Sequence, residues 1–199
     1  MQEIIATFHE TMPATATAQL TDEEKEILAA KQNAALFQPL YERYYEAILK
    51  FVYQRVVTKD DAFDITQQVF LQAMLSIKKY ELRGFPFSSW LYRIAINELN
   101  KAFRKNEKQR GINLSEEHLH DISDEIGTAE TEQREQAVLQ ALTMLNEDDY
   151  QLVEMRFFEK RAFKEIGEIL NLSEATAKMR VYRILEKLKP SVERNLLTD

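Results

Sequence analysis

With 199 residues, 45% apolar side chains, four Gly and four Pro, the chain has the makings of one or two compact domains richer in helix than in sheet. It contains no Cys, which excludes disulfides and thiolate chemistry, and no apolar run approaches the roughly 20 residues that span a bilayer. The net charge of −7 is unevenly spread: residues 33–106 hold 11 basic against 7 acidic side chains, and residues 107–132 hold 2 against 8. That distribution predicts basic-faced modules joined by an acidic connector that does not face nucleic acid.

Residues 1–32 read as an N-terminal extension. The start lacks the basic and apolar blocks of a secretory leader. Thr15-Ala16-Thr17-Ala18 is low in complexity and poor in large apolar groups, so the extension is expected to add little to a core. Thr21-Asp22-Glu23-Glu24 has the form of a capping box opening a short helix through Ala30.

Residues 33–106 read as a first helical domain. Phe37, Leu40, Tyr41, Tyr44, Ile48, Phe51, Val52 and Arg55 fall on one long amphipathic helix. Lys59-Asp60-Asp61 reads as a turn, with an Asp capping a helix from about Ala62 to Lys79. Phe63, Phe70, Met74 and Ile77 form its expected core stripe. A second stripe, Asp64, Gln68, Leu71 and Leu75, is too apolar for plain solvent and too polar for a core, and so predicts a partner-docking surface. The alternative is that the two leucines pack on a neighbouring helix.

Arg83-Gly84 and Pro86 then break the helix, and Ser88 or Ser89 is expected to cap the next. Lys78, Lys79, Tyr80, Arg83, Phe85, Phe87, Trp90 and Arg93 interleave rings with cations. Single-stranded nucleic acid needs that mixture, with rings to stack bases and charge to meet phosphates. Trp90, Ile94 and Phe87 are also candidates for the core. Asn97, Asn100, Lys101, Arg104 and Lys105 continue as a polar, basic run.

The connector, 107–132, is acidic and turn-rich, with Ile112, Leu114, Leu119, Ile122 and Ile126 scattered through it. It is expected to be flexible alone and to order on a partner. His118 and His120 do not share a helical face and have no third ligand, so no metal site is expected.

Residues 133–199 end in a helix-turn-helix. Phe163, Ile166, Ile169 and Leu170 mark its first helix, Asn171-Leu172 its turn, and Ser173 the cap of its second helix. Ala177, Val181, Ile184 and Leu188 form the inner face of that second helix. Ala175, Thr176, Met179, Tyr182 and Arg183 lie opposite, with Lys178 and Arg180 on the flanks. Five basic against two acidic residues from Ser173 to Lys189 suit the major groove, the centre meeting base edges and the flanks phosphates. An antiparallel helix pair with a solvated basic face is the alternative.

Asp64-Ile65-Thr66-Gln67-Gln68-Val69-Phe70, followed by Phe87-Ser88-Ser89-Trp90-Leu91-Tyr92-Arg93-Ile94-Ala95 and Asn97, resembles the second conserved region of bacterial sigma factors. Ala141-Leu142-Thr143-Met144-Leu145 through Arg183 resembles their fourth region. Two such regions with only a short linker between them resemble the small extracytoplasmic-function (ECF) group. The resemblance implies an all-α protein of two helical domains, 33–106 and 133–199, and a non-enzymatic, cytoplasmic role in transcription initiation. Core RNA polymerase would be bound through Asp64, Gln67, Gln68, Leu71 and Leu75. The −10 element, once opened, would be held by Lys79, Tyr80, Arg83, Phe85, Phe87, Arg93, Asn97 and Lys101. The −35 duplex would be read by Thr176, Lys178, Met179, Arg180, Tyr182 and Arg183. An anti-sigma factor would be a further partner, and neither a cofactor nor membrane contact is implied. A helix-turn-helix regulator that does not dock on polymerase, or a helical adaptor that binds only protein, are the other readings.

Three positions depart from the family pattern. Phe63 stands where an acid is frequent, Met179 where Ser or Thr is, and a glycine is common near Lys160.

Overall fold

The computed structural model describes residues 20–105, 111–113, 116–126 and 132–196, and every longer regular element among them is a helix. Helix α1, Asp22–Gln32, opens on the expected capping box: Thr21 Oγ1 accepts from Glu24 N, and the Glu24 carboxylate accepts from Thr21 N at 2.7 Å. Ile27 and Ala30 are buried, so α1 belongs to the core and is not an appendage. Its Lys31 ammonium donates to Tyr80 O at 2.8 Å, holding the later aromatic loop in place. The Thr15–Ala18 run lies outside the described residues.

Phe37 ends a short 3-10 turn ahead of α2, Gln38–Tyr53, which buries Leu40, Ile48, Phe51 and Val52. Arg55 lies past the end of α2 and has no exposed surface, although the sequence placed it on an amphipathic helix. Helix α3, Lys59–Ser76, starts earlier than expected because Thr58, not an Asp, is its cap, accepting from Asp61 N at 3.1 Å. Its buried face is Ala62, Ile65, Thr66, Val69, Phe70 and Ala73. Phe63, expected in the core stripe, is exposed instead and borders an apolar hollow with Leu49, Tyr53 and Ala62. Helix α4, Phe87–Arg104, begins directly after Pro86. Ser88 and Ser89 are therefore buried in its first turn and cap nothing. These helices pack on one another with α1 across them.

Within the expected connector, Glu116–Ile126 forms helix α5. Its Leu119, Ile122 and Ile126 are buried against α6 (Glu132–Thr143) and α9 (Glu174–Leu196). This acidic stretch is thus amphipathic: Asp124 and Glu125 face water, and the three apolar residues, three and four apart, face the second set of helices. Helix α7, Glu147–Val153, is capped by Asn146 and continues through a wider turn to Phe158. Helix α8, Phe163–Leu170, and α9 follow, with α6, α7 and α8 gathered around α9. Ala177, Val181, Ile184 and Leu188 are all buried, as the periodicity predicted.

Between the wide turn and α8, Lys160 has φ 50°. A side chain in this left-handed region costs about 1 kcal/mol, which glycine avoids. Its ion pair with Asp121 spans 3.6 Å at the surface and offsets little of that. Lys160→Gly is therefore expected to raise the melting midpoint by a few degrees in calorimetry. A lower midpoint would show that the Lys160 side chain contributes more than its backbone costs.

Candidate polymerase and promoter interfaces

The helix-turn-helix is closed by backbone chemistry. Asn171 takes the left-handed conformation at the end of α8 (φ 56°), and Leu172 N donates to Gly167 O at 2.8 Å. Ser173 Oγ then accepts from Thr176 N at 3.1 Å and caps α9. Of the six residues expected to meet the −35 duplex, Lys178, Met179, Tyr182 and Arg183 stand exposed on one side of α9. Thr176 is half-buried and its hydroxyl bonds to that of Ser173. Arg180 turns inward and pairs with Asp149 of α7 at 3.1 Å, so its first partner is protein.

The face expected to dock on polymerase is open along α3. Asp64, Gln67 and Gln68 are exposed, as are Leu71 (45%) and Leu75 (70%). Among the described residues neither leucine is buried on a neighbouring helix, against the alternative weighed from the sequence. The exposed Phe63 extends the same helix surface toward its N-terminal end.

The aromatic loop divides in two. Phe87 has no exposed surface, and its ring lies 5.1 Å from Tyr80 and 5.3 Å from Trp90. Phe87 is therefore core and supports the loop instead of stacking on a base; Tyr80, 7% exposed, shows only an edge. Around them lies a cleft of about 170 Å³ lined by Lys79, Tyr80, Arg83, Phe85, Trp90 and Arg93. Lys79 and Arg83 are exposed, and Arg83 is paired with its neighbour Glu81 at 2.7 Å. Asn97 and Lys101 follow Arg93 at helical intervals of four and are exposed on α4. Rings at the base and cations at the rim suit an unpaired base with its phosphates.

Residues outside the expected set also reach these sites. Glu168 of α8 lines the cleft and accepts from Arg93 Nη2 at 2.8 Å. Lys164 lies 5.5 Å from the Phe85 ring centroid. Tyr92, buried in α4, donates to Glu159; burial and that carboxylate push its phenol well above the ordinary value. Burial likewise raises the Glu159 carboxyl. Nothing in the local sequence announces the two hydrogen-bonded pairs, since Tyr92 and Glu159 lie 67 residues apart and Arg93 and Glu168 lie 75 apart. Gly167 was legible in principle, because a glycine inside an amphipathic helix usually marks a close approach. Among the described residues no group of three or more His, Asp or Glu side chains is placed to hold a metal ion.

Comparison with known proteins accords with this geometry. The family model "Sigma-70 region 2" matches residues 40–109, and "Sigma-70, region 4" matches residues 141–189. The ECF RNA polymerase sigma factor BldN of Streptomyces coelicolor is 26% identical over 160 residues, covering 78% of this chain and 60% of its own length. The ECF RNA polymerase sigma-E factor of Haemophilus influenzae is 25% identical over 186 residues, covering 88% of this chain and 97% of its own. The chain belongs to the ECF sigma factors. The first model takes in α2, α3, α4 and the cleft of this sigma factor, and the second takes in the helix-turn-helix. The solved structure of CnrH in complex with the cytosolic domain of CnrY has the same fold, with a TM-score of 0.60 at 18% identity, covering 85% of this chain and 96% of that one. The sigma factor spans 60% of its Streptomyces relative and nearly all of its Haemophilus relative.

Proposed function

We propose that this sigma factor binds core RNA polymerase through the exposed face of α3, reads the −35 element with α9, and holds the opened −10 element between the aromatic cleft and α4. The observation that carries this reading is the occurrence of both sigma regions, in order, on one chain. Its work is binding, not chemistry: promoter choice comes from base contacts, and DNA opening from capture of unpaired bases. Residues 33–106 and 133–199 are its two functional modules, with α5 packed onto the second. Its place is the bacterial cytoplasm, where polymerase works, and an anti-sigma factor is a further partner. Among the described residues no helix is long and apolar enough to cross a membrane.

The test combines co-elution of the chain with core polymerase and transcription from a library of −35 sequences. An arginine reading guanine by two hydrogen bonds contributes ~1–3 kcal/mol of discrimination, whereas a phosphate contact carries no sequence preference. Arg183→Ala is expected to relax preference at one or two −35 positions. Lys178→Ala should weaken all promoters more evenly and lower the salt dependence. Met179 offers an apolar tip to a thymine methyl or a sugar, so Met179→Ser should shift the preferred base. If all three rescale every promoter by one factor, α9 does not read bases. Without co-elution and promoter-dependent transcripts, the sigma reading fails.

A further inference from the structure

The two sets of helices meet across a polar seam. At one end lies Arg55, with no exposed surface. Its guanidinium faces Glu147 of α7 and the equally buried Glu154, the latter with Nη1 to Oε2 at 3.6 Å. The rings of Phe51 and Tyr150, one from each set, flank it at 5.7 Å. Residues 111–113 fasten to the same corner: Gly111 N donates to Arg55 O at 2.9 Å and Asn113 N to Gln54 O at 3.0 Å. Further along, Arg161 donates to Ser88 Oγ at 3.2 Å and lies over the Tyr92 ring. At the far end Glu168 holds Arg93.

Such a seam is built to part. A buried ion pair gains little over two hydrated ions, yet removing one member leaves the other charge stranded. Separation of the two sets returns both members to water together, so that penalty is never incurred. Interfaces between domains that move are polar in this way, whereas permanent ones are apolar.

The seam also selects which surfaces stay available. The α3 face and the outer face of α9 are open. The cleft alone is capped, by Glu168 on Arg93 and Lys164 over Phe85. A carboxylate paired with an arginine makes the same kind of charge-assisted contact that a phosphate makes.

The geometry points to a closed form of the chain in which α8 masks the −10 cleft, Glu168 stands in for a DNA phosphate on Arg93, and Arg55 with Glu154 latches the two sets of helices. On docking to polymerase through α3 the closed form opens, before the −10 strand enters. This inference rests on the −10 role proposed above for the cleft.

The chain has no cysteine, so Ala47→Cys in α2 and Lys187→Cys in α9, both exposed positions, can carry a donor and an acceptor dye on the full-length protein. The otherwise unaltered chain is expected to give one high-transfer population. Glu154→Gln should raise the ratio of open to closed molecules severalfold, because it leaves the buried Arg55 with Glu147 but without the Glu154 charge only while the seam stays shut. Glu168→Gln should raise it severalfold, with unchanged far-UV circular dichroism in both variants. Should Glu154→Gln fail to fold, Glu168→Gln, on a partly exposed side chain, decides the matter alone. A broad low-transfer population in the unaltered chain, or high transfer that Glu168→Gln does not move, overturns the closed form. Co-elution with core polymerase is read on the same labelled chains, and bound molecules should show low transfer. High transfer in the co-eluting complex overturns opening on polymerase, whereas loss of co-elution throughout sinks the sigma reading and leaves the transfer of the unbound chain to decide the closed form.

Discussion

Leu71→Glu combined with Leu75→Glu is expected to weaken binding to core polymerase by roughly 100-fold or more, while the melting midpoint stays within a few degrees of the unaltered chain. Leucines buried at the centre of an interface each contribute on the order of 2 kcal/mol when they are hot spots, and about 1.4 kcal/mol is a factor of ten. Here they also replace apolar contacts with two carboxylates that would be desolvated without partners. In the unbound chain both leucines already face water, at 45% and 70% exposure, so the folded state loses little. Titration of labelled polymerase together with calorimetry separates the two effects. A drop in stability comparable to the loss of binding would place these side chains in the core. Intact binding would move the docking face elsewhere on the chain.

Gly167→Ala is expected to destabilise the helix-turn-helix by ~1–3 kcal/mol and to reduce transcription most at promoters that depend on the −35 element. A methyl group on Gly167 would sit 2.6 Å from Leu172 O and 3.3 Å from Glu174 N, backbone atoms that cannot rotate away. The turn would have to open, tilting α9 away from the position set by α8. Helix propensity alone predicts the opposite, since alanine is favoured over glycine by about 0.5–1 kcal/mol inside a helix. The sign of the change in thermal unfolding therefore discriminates between propensity and close approach. A gain in stability would mean that the α8–α9 turn accommodates the methyl and that its glycine is incidental.

The elements that could be read from sequence are those whose cause is local. The capping box at Thr21, the Ser173 cap and the inner face of α9 each depend on residues within one or two helical turns. The exposed α3 stripe, proposed above as the docking face, was legible for a related reason: two leucines among polar residues on a single helix face conflict with a solvated surface wherever that helix is placed. Helix α5 was legible and missed. Its Leu119, Ile122 and Ile126 repeat at helical spacing, but eight carboxylates in 107–132 suggested a solvated connector, and composition outweighed period.

Sequence by itself determined that this protein is helical, that it carries two sigma regions in order, and that α9 presents a basic outer face. These follow from residue type and short-range spacing, which the chain carries wherever its parts lie. Only the tertiary structure decided which rings are core and which line the cleft, since Phe87 and Phe85 have the same chemistry and differ in what surrounds them. It also decided that Arg55 is buried against Glu154, that Arg93 is held by Glu168, and that Phe63 faces outward. Each of these depends on which helices meet. Arg93 and Glu168 are 75 residues apart, and no period or propensity in the chain between them encodes that contact. Burial and ion pairing are properties of the space between helices, set by how whole faces pack, and a side chain's own sequence neighbourhood does not contain that information.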